Sequence, residues 1–149
     1  MVLMASVIPE LDVLDLGRSR HFYESLLGFA VLFERPEEGF VFLELDGAQL
    51  MLEQAYGPGR RFRDAPLEPP LGRGLNLQIR VDNVDGLIAR VRAAGLTMLI
   101  EPEERWYRKD TLELGNRQFV VADPDGYLLR FFSDLGSRPV QKNDLDHEP

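Results

Sequence analysis

The chain has 149 residues, 44% of them apolar and 28% charged, and 25 acidic against 17 basic side chains give a formal charge of −8. That length holds one ordinary domain or two fused half-size modules, and the composition is that of a soluble globular protein. Surplus carboxylate argues against a nucleic-acid partner, because neutralising phosphates takes clustered Lys and Arg. No apolar run approaches the roughly 20 residues that span a bilayer, and the absence of cysteine removes disulfides, thiol nucleophiles and thiolate metal sites. A cytoplasmic protein with no membrane partner is expected.

In chain order, residues 7–15 read as a strand. Ser19, Phe22, Leu26 and Leu27 fall at helical spacing, and Gly28 ends that element. Residues 29–33 read as a second strand, 34–39 as a polar turn, and 40–45 with 49–53 as a hairpin across Asp46-Gly47. Residues 55–74, rich in Pro, Gly and Arg, read as a linker. The pattern then restarts, with a strand at 75–81 and a helix whose apolar face is Val84, Leu87, Ile88 and Val91, closed by Gly95. A strand at 96–100 follows, then a polar turn from Glu101. A hairpin at 117–132 turns on Asp123-Pro124-Asp125-Gly126, where proline fixes φ, the aspartates bond nearby backbone and glycine accepts positive φ.

Both halves therefore read β-α-β-β-β, an internal repeat. Leu27-Gly28-Phe29 parallels Ala94-Gly95-Leu96, and Asp46-Gly47 answers Asp125-Gly126. The expected organisation is one α+β domain, 1–135, made of modules 5–54 and 75–133, with a flexible polar tail at 136–149.

Strand alternation assigns faces. Leu75, Leu77, Ile79 and Val81 must face a helix, which leaves Asn76, Gln78 and Arg80 opposite. By the same rule Glu10 and Asp12 oppose Leu11 and Val13; Met51 and Glu53 oppose Leu50 and Leu52; Arg130 shares a face with Phe132. If two modules curl together, these faces line a cleft of amides, carboxylates and arginines that recognises a ligand and has no reactive centre. Trp106 and Tyr107 are candidates either to stack on a planar ligand, with Tyr56 and Phe62 as possible partners, or to pack in the core. His21 and His147 read as ordinary surface residues. There is no G-x-S-x-G, P-loop or dinucleotide-binding glycine motif.

Pro9, Val13-Leu14-Asp15-Leu16, Phe22-Tyr23-Glu24, Leu27-Gly28-Phe29, Gly115-Asn116-Arg117-Gln118-Phe119 and Asp123-Pro124-Asp125-Gly126, in that order, resemble the glyoxalase, bleomycin-resistance and extradiol-dioxygenase superfamily, the vicinal oxygen chelate fold. The resemblance implies two βαβββ modules forming curled mixed sheets around a cleft. In enzymes of the superfamily the cleft holds a divalent metal on His, Glu or Gln. The matching positions here are Ile8, Met51, Asn76 and Arg130, none an imidazole or carboxylate, and moving the β-hairpin register by two brings in Glu53. The resemblance thus implies metal-free, cofactor-free sequestration of a small planar or cationic antibiotic, with Phe40, Met51, Glu53, Phe62, Asn76, Gln78, Trp106, Tyr107 and Arg130 as ligand-binding residues. The alternative is a metal-dependent lyase or oxidoreductase. The resistance-type members also imply a homodimer whose clefts lie between chains, with Pro9 at the start of a crossing strand.

Overall fold

A computed structural model describes residues 3–59 and 65–141. Phe62 lies outside the described residues. The first half supplies β1 (Glu10–Val13), a short α1 (Leu16–Arg20) that widens into a π-helical stretch (His21–Leu27), β2 (Ala30–Arg35), β3 (Phe40–Leu45) and β4 (Ala48–Gln54). The second half repeats the order with β5 (Asn76–Arg80), α2 (Val84–Ala93), β6 (Met98–Lys109), β7 (Leu112–Ala122) and β8 (Leu128–Pro139). Each half builds a four-stranded mixed sheet, ordered β1-β4-β3-β2 and β5-β8-β7-β6. In each, the first and last strands are parallel and the other pairs antiparallel. The fold is α+β, as the repeat predicts.

The helices start where capping chemistry starts them. Asp15 accepts from Arg18 N–H at 3.0 Å, and Asn83 accepts from Gly86 N–H at 2.9 Å, each satisfying a donor the helix cannot. Gly28, at φ 92°, ends the first helix in the left-handed region. Both helices press their apolar faces onto the sheets. Val84, Leu87, Ile88 and Val91 are all buried, together with Phe22, Tyr23 and Leu27, against Leu11, Val13, Leu50 and Leu52 of one sheet and Ile79, Phe119, Leu129 and Phe131 of the other. This is one continuous core. Each such side chain contributes about 1.5–3 kcal/mol of burial.

A polar joint through Asp123-Pro124-Asp125-Gly126 links the modules. Tyr23 OH donates to Asp123 at 2.7 Å across 100 residues of sequence, while Asp123 also accepts from the backbone N–H of Asp125 and Tyr127. Asp125 accepts from Leu14 N–H and pairs with Arg18 at 2.9 Å, and Tyr127 OH donates to the Asp12 carbonyl. Burial pushes the Asp123 carboxyl upward from its ordinary value despite these three donors, and burial beside that carboxylate raises the Tyr23 hydroxyl well above its own. The linker docks on the same turn: Leu71 is buried and its N–H donates to Asp125 O at 2.7 Å.

Three stretches differ from the reading of the sequence. Residues 101–109, read as a polar turn, continue β6, and β7 begins at Leu112, so the two form a long hairpin turning at Asp110 with φ 57°. β8 runs on to Pro139, paired with Leu112, which makes 136–139 strand where a tail was expected. These extensions run past the helices, so no helix buries either face and their apolar residues, such as Leu112 and Leu114, give only a short alternation. Residues 142–149 of the expected tail lie outside the described residues.

Candidate ligand-binding concavity

Strand register decides what each sheet shows on the side away from the helices, because paired residues point to one face. On the first sheet, Glu10 and Asp12 of β1 oppose Met51 and Glu53 of β4, which oppose Phe42 and Phe40 of β3, which oppose Phe33 and Arg35 of β2. Phe33 stacks on Phe42 with centroids 4.8 Å apart, and the Arg35 guanidinium lies 4.0 Å over the Phe40 ring. The middle of this face is covered, while Glu10, Phe33 and Arg35 at its flanks are exposed. Phe42 and Phe40 are 0% and 5% exposed. Gln49 is held by Ala5 N–H and the Leu3 carbonyl, and a Cβ at Gly59 would collide with the Glu53 carboxylate. Burial, a hydrogen bond with Glu10, and the charges of Glu10, Asp12 and Glu38 push the Glu53 carboxyl up to about 7.

On the second sheet the same face is open. Gln78 and Arg80 of β5 lie beside Arg130 and Phe132 of β8, followed by Asn116 and Leu114 on β7 and Tyr107 on β6. Together with Asp134, Gly136 and Ser137 they line a concavity of about 600 Å³. Arg130 donates to Gln78 Oε1 at 2.6 Å, and its Nε is buried with no partner. Behind the lining, Gln118 is 3% exposed; its Nε2 donates to Tyr107 OH at 2.7 Å and to Glu103 at 3.1 Å, while its Oε1 has no partner. An amide held this way orients the Tyr107 ring at the edge of the concavity. The β3–β4 turn, through Asp46, Gly47 and Ala48, borders a neighbouring hollow that shares Gln78, Arg80 and Phe132.

The residues expected to bind ligand therefore divide. Gln78, Tyr107 and Arg130 line the open concavity, and Asn76 is exposed one position along the same face from Gln78. Phe40, Met51 and Glu53 belong to the first sheet. Trp106 is on the far side of the second sheet, because it neighbours Tyr107 along a strand and adjacent residues alternate faces. It packs against Gly115, where a Cβ would approach the ring to 2.7 Å, and beneath Arg138, whose guanidinium sits 4.0 Å from the ring and pairs with Glu113. Tyr56 is taken up locally, accepting from Leu67 N–H at 2.9 Å. Asn116 and Leu114 were not anticipated, since the stretch before residue 117 carried no strand assignment; the alternation Leu112, Leu114, Asn116, Gln118 was the available signal.

The profile of the glyoxalase/bleomycin resistance protein/dioxygenase superfamily matches residues 9–131. The chain belongs to this superfamily. It is 28% identical over 144 residues to a bleomycin resistance protein of Geobacillus stearothermophilus, a match that covers 90% of this chain and 100% of that one. Among solved structures, TioX from Micromonospora superposes with a TM-score of 0.64 at 21% identity, covering 89% of this chain and 100% of that one. TnmS3, an antibiotic binding protein from Streptomyces, gives 0.57 at 20% identity, covering 90% and 98%. These two likenesses show the fold.

Within the superfamily fold, the positions that hold a metal in its enzymes carry side chains that do not suit one. Met51 offers a thioether beside Phe42, and Arg130 brings a guanidinium bonded to Gln78. Among the described residues no three His, Cys, Asp or Glu converge on a point. The residues do not fit a metal centre. No helix among the described residues is long and apolar enough to cross a membrane.

Proposed function

We propose that this superfamily member binds and sequesters a small planar, antibiotic-like ligand without altering it and without a metal, in the concavity of the second sheet. The observation that carries this is the lining itself: an open hollow of about 600 Å³ whose side chains are chiefly amides, arginines and two aromatic rings, with one leucine, one serine and one aspartate. Phe132 and Tyr107 offer ring faces for stacking, and Gln78, Asn116 and Arg130 offer directional hydrogen bonds. The lining contains no Ser, His or carboxylate arranged as nucleophile and base. The likeness to a bleomycin resistance protein along nearly the whole chain supports the same reading.

The proposal includes a cytoplasmic homodimer in which a second copy closes the hollow. β1 and β5 are edge strands, and Pro9, immediately before β1, suits an edge or crossing strand. A two-fold pair that sets part of a second copy over the second-sheet face would exclude water from the ligand. A thermal-shift screen across planar antibiotics, followed by mass spectrometry of the recovered compound, tests the function. A raised Tm with the compound returned intact is expected. A compound returned chemically changed overturns sequestration in favour of catalysis.

A further inference from the structure

The charge of the concavity runs against that of the molecule. In a chain with eight more acidic than basic side chains, several arginines elsewhere find carboxylates, as Arg18 with Asp125, Arg20 with Glu24 and Glu34, Arg35 with Glu38, Arg117 with Asp85 and Arg138 with Glu113, while Arg73 and Arg90 bond backbone carbonyls. Arg80 and Arg130, diagonal neighbours on β5 and β8 in the hollow, form no ion pair with a carboxylate among the described residues. Arg130 has one bond, to the neutral Gln78 amide, and a buried Nε left without an acceptor. Burying a guanidinium donor without a partner is unfavourable, and a carboxylate against the accessible part of the same guanidinium would offset that cost through its charge. The one acid in the lining, Asp134, lies four residues along β8 from Arg130 and two from Phe132, the partner of Arg80; it is already accepting from Gly136 N–H and forms no ion pair with either arginine.

We infer that the ligand of this concavity is an aromatic acid: its carboxylate, or an equivalent anionic group, is seated between Arg80 and Arg130, and its ring lies on Phe132 and Tyr107. The inference rests on the reading of this hollow as the ligand site and departs from a cationic ligand, which two unneutralised guanidinium groups would repel. Gln78 fixes the Arg130 fork from one side, so the acid group meets a pre-oriented donor.

Three naphthalene probes of matched shape separate charge from stacking: the carboxylate, the neutral methanol and the methylammonium. Titration by NMR should show the carboxylate binding most tightly, with shifts confined to β5, β7, β8 and Tyr107. Its affinity should fall as salt screens the pair. Arg80→Gln and Arg130→Gln should each weaken the carboxylate on the order of tenfold and leave the alcohol unchanged, while Arg130→Lys keeps part of the preference. Arg80 is exposed, so its variant carries the test should Arg130→Gln lower Tm. Equal or tighter binding of the ammonium or alcohol, glutamine variants that fold normally yet bind the carboxylate as the wild type does, or no carboxylate binding at all would each overturn the inference. Alcohol or ammonium binding at the same residues would leave the ligand-site reading intact, and the antibiotic screen decides that reading independently.

Discussion

Trp106 and Tyr107 are neighbours with opposite duties. Tyr107 faces the concavity and is braced by Gln118, whereas Trp106 lies on the far face between Gly115 and Arg138. Trp106→Ala should therefore cost about 1–2 kcal/mol of stability through lost burial and the lost cation–π contact. Ligand affinity should be unchanged, as urea denaturation and binding titration on the same preparation would show; weakened binding at full stability would place the ring in the site. Tyr23→Phe probes the joint between modules. It removes one donor from a buried carboxylate, so a loss of about 1–3 kcal/mol is expected, and no loss would mean that Asp123 finds another partner.

At the level of elements, the turn at residues 123–126 holds β7 to β8, α1 to the second module and the linker to both. Gly126 has φ 96°, and a Cβ there would come within 2.5 Å of Pro70 Cβ and 2.8 Å of Pro70 Cα. Gly126→Ala is expected to cost about 2 kcal/mol or more, from left-handed backbone strain and displacement of the docked linker. Its urea midpoint should fall further than that of Gly47→Ala, where positive φ is also required but nothing lies within 4 Å. Equal shifts would show that linker docking contributes nothing.

Across the whole molecule, the two sheet faces carry opposite charge, and the acidic one has a titration signature. The Glu53 carboxyl is raised to about 7 in the folded chain from an ordinary value near 4.5. The native state therefore binds more protons than the unfolded state between those values, and stability falls as pH rises through that window. Glu53→Gln should remove this part of the slope, so that the variant gains on the wild type as pH goes from about 4.5 to above 7. Parallel curves for the two proteins would show that Glu53 titrates normally. Assembly is a separate measurement: sedimentation equilibrium is expected to give twice the 17.0 kDa chain mass, and a monomer that still binds ligand at micromolar concentration would exclude the shared cleft.

Alternation and turn chemistry are local, so the residues alone determined the two βαβββ repeats, their helix-facing cores, the Asp46-Gly47 and Asp125-Gly126 turns and the split of each inner strand into apolar and polar faces. The same alternation already placed Arg80 and Phe132 with Gln78 and Arg130 on polar faces. What only the tertiary structure decided was which face stays open. That depends on long-range contacts without a periodic trace: the amino-terminal segment bonded to Gln49, the loop at Gly59 against Glu53, and the extension of β6 and β7 past the helices. In that extension no helix covers either face, so hydrophobic period carries little signal beyond Leu112 and Leu114, and pairing with the neighbouring strand makes it a sheet. Those contacts cover the middle of the first-sheet face and leave the hollow of the second sheet, with Arg80 and Arg130, open.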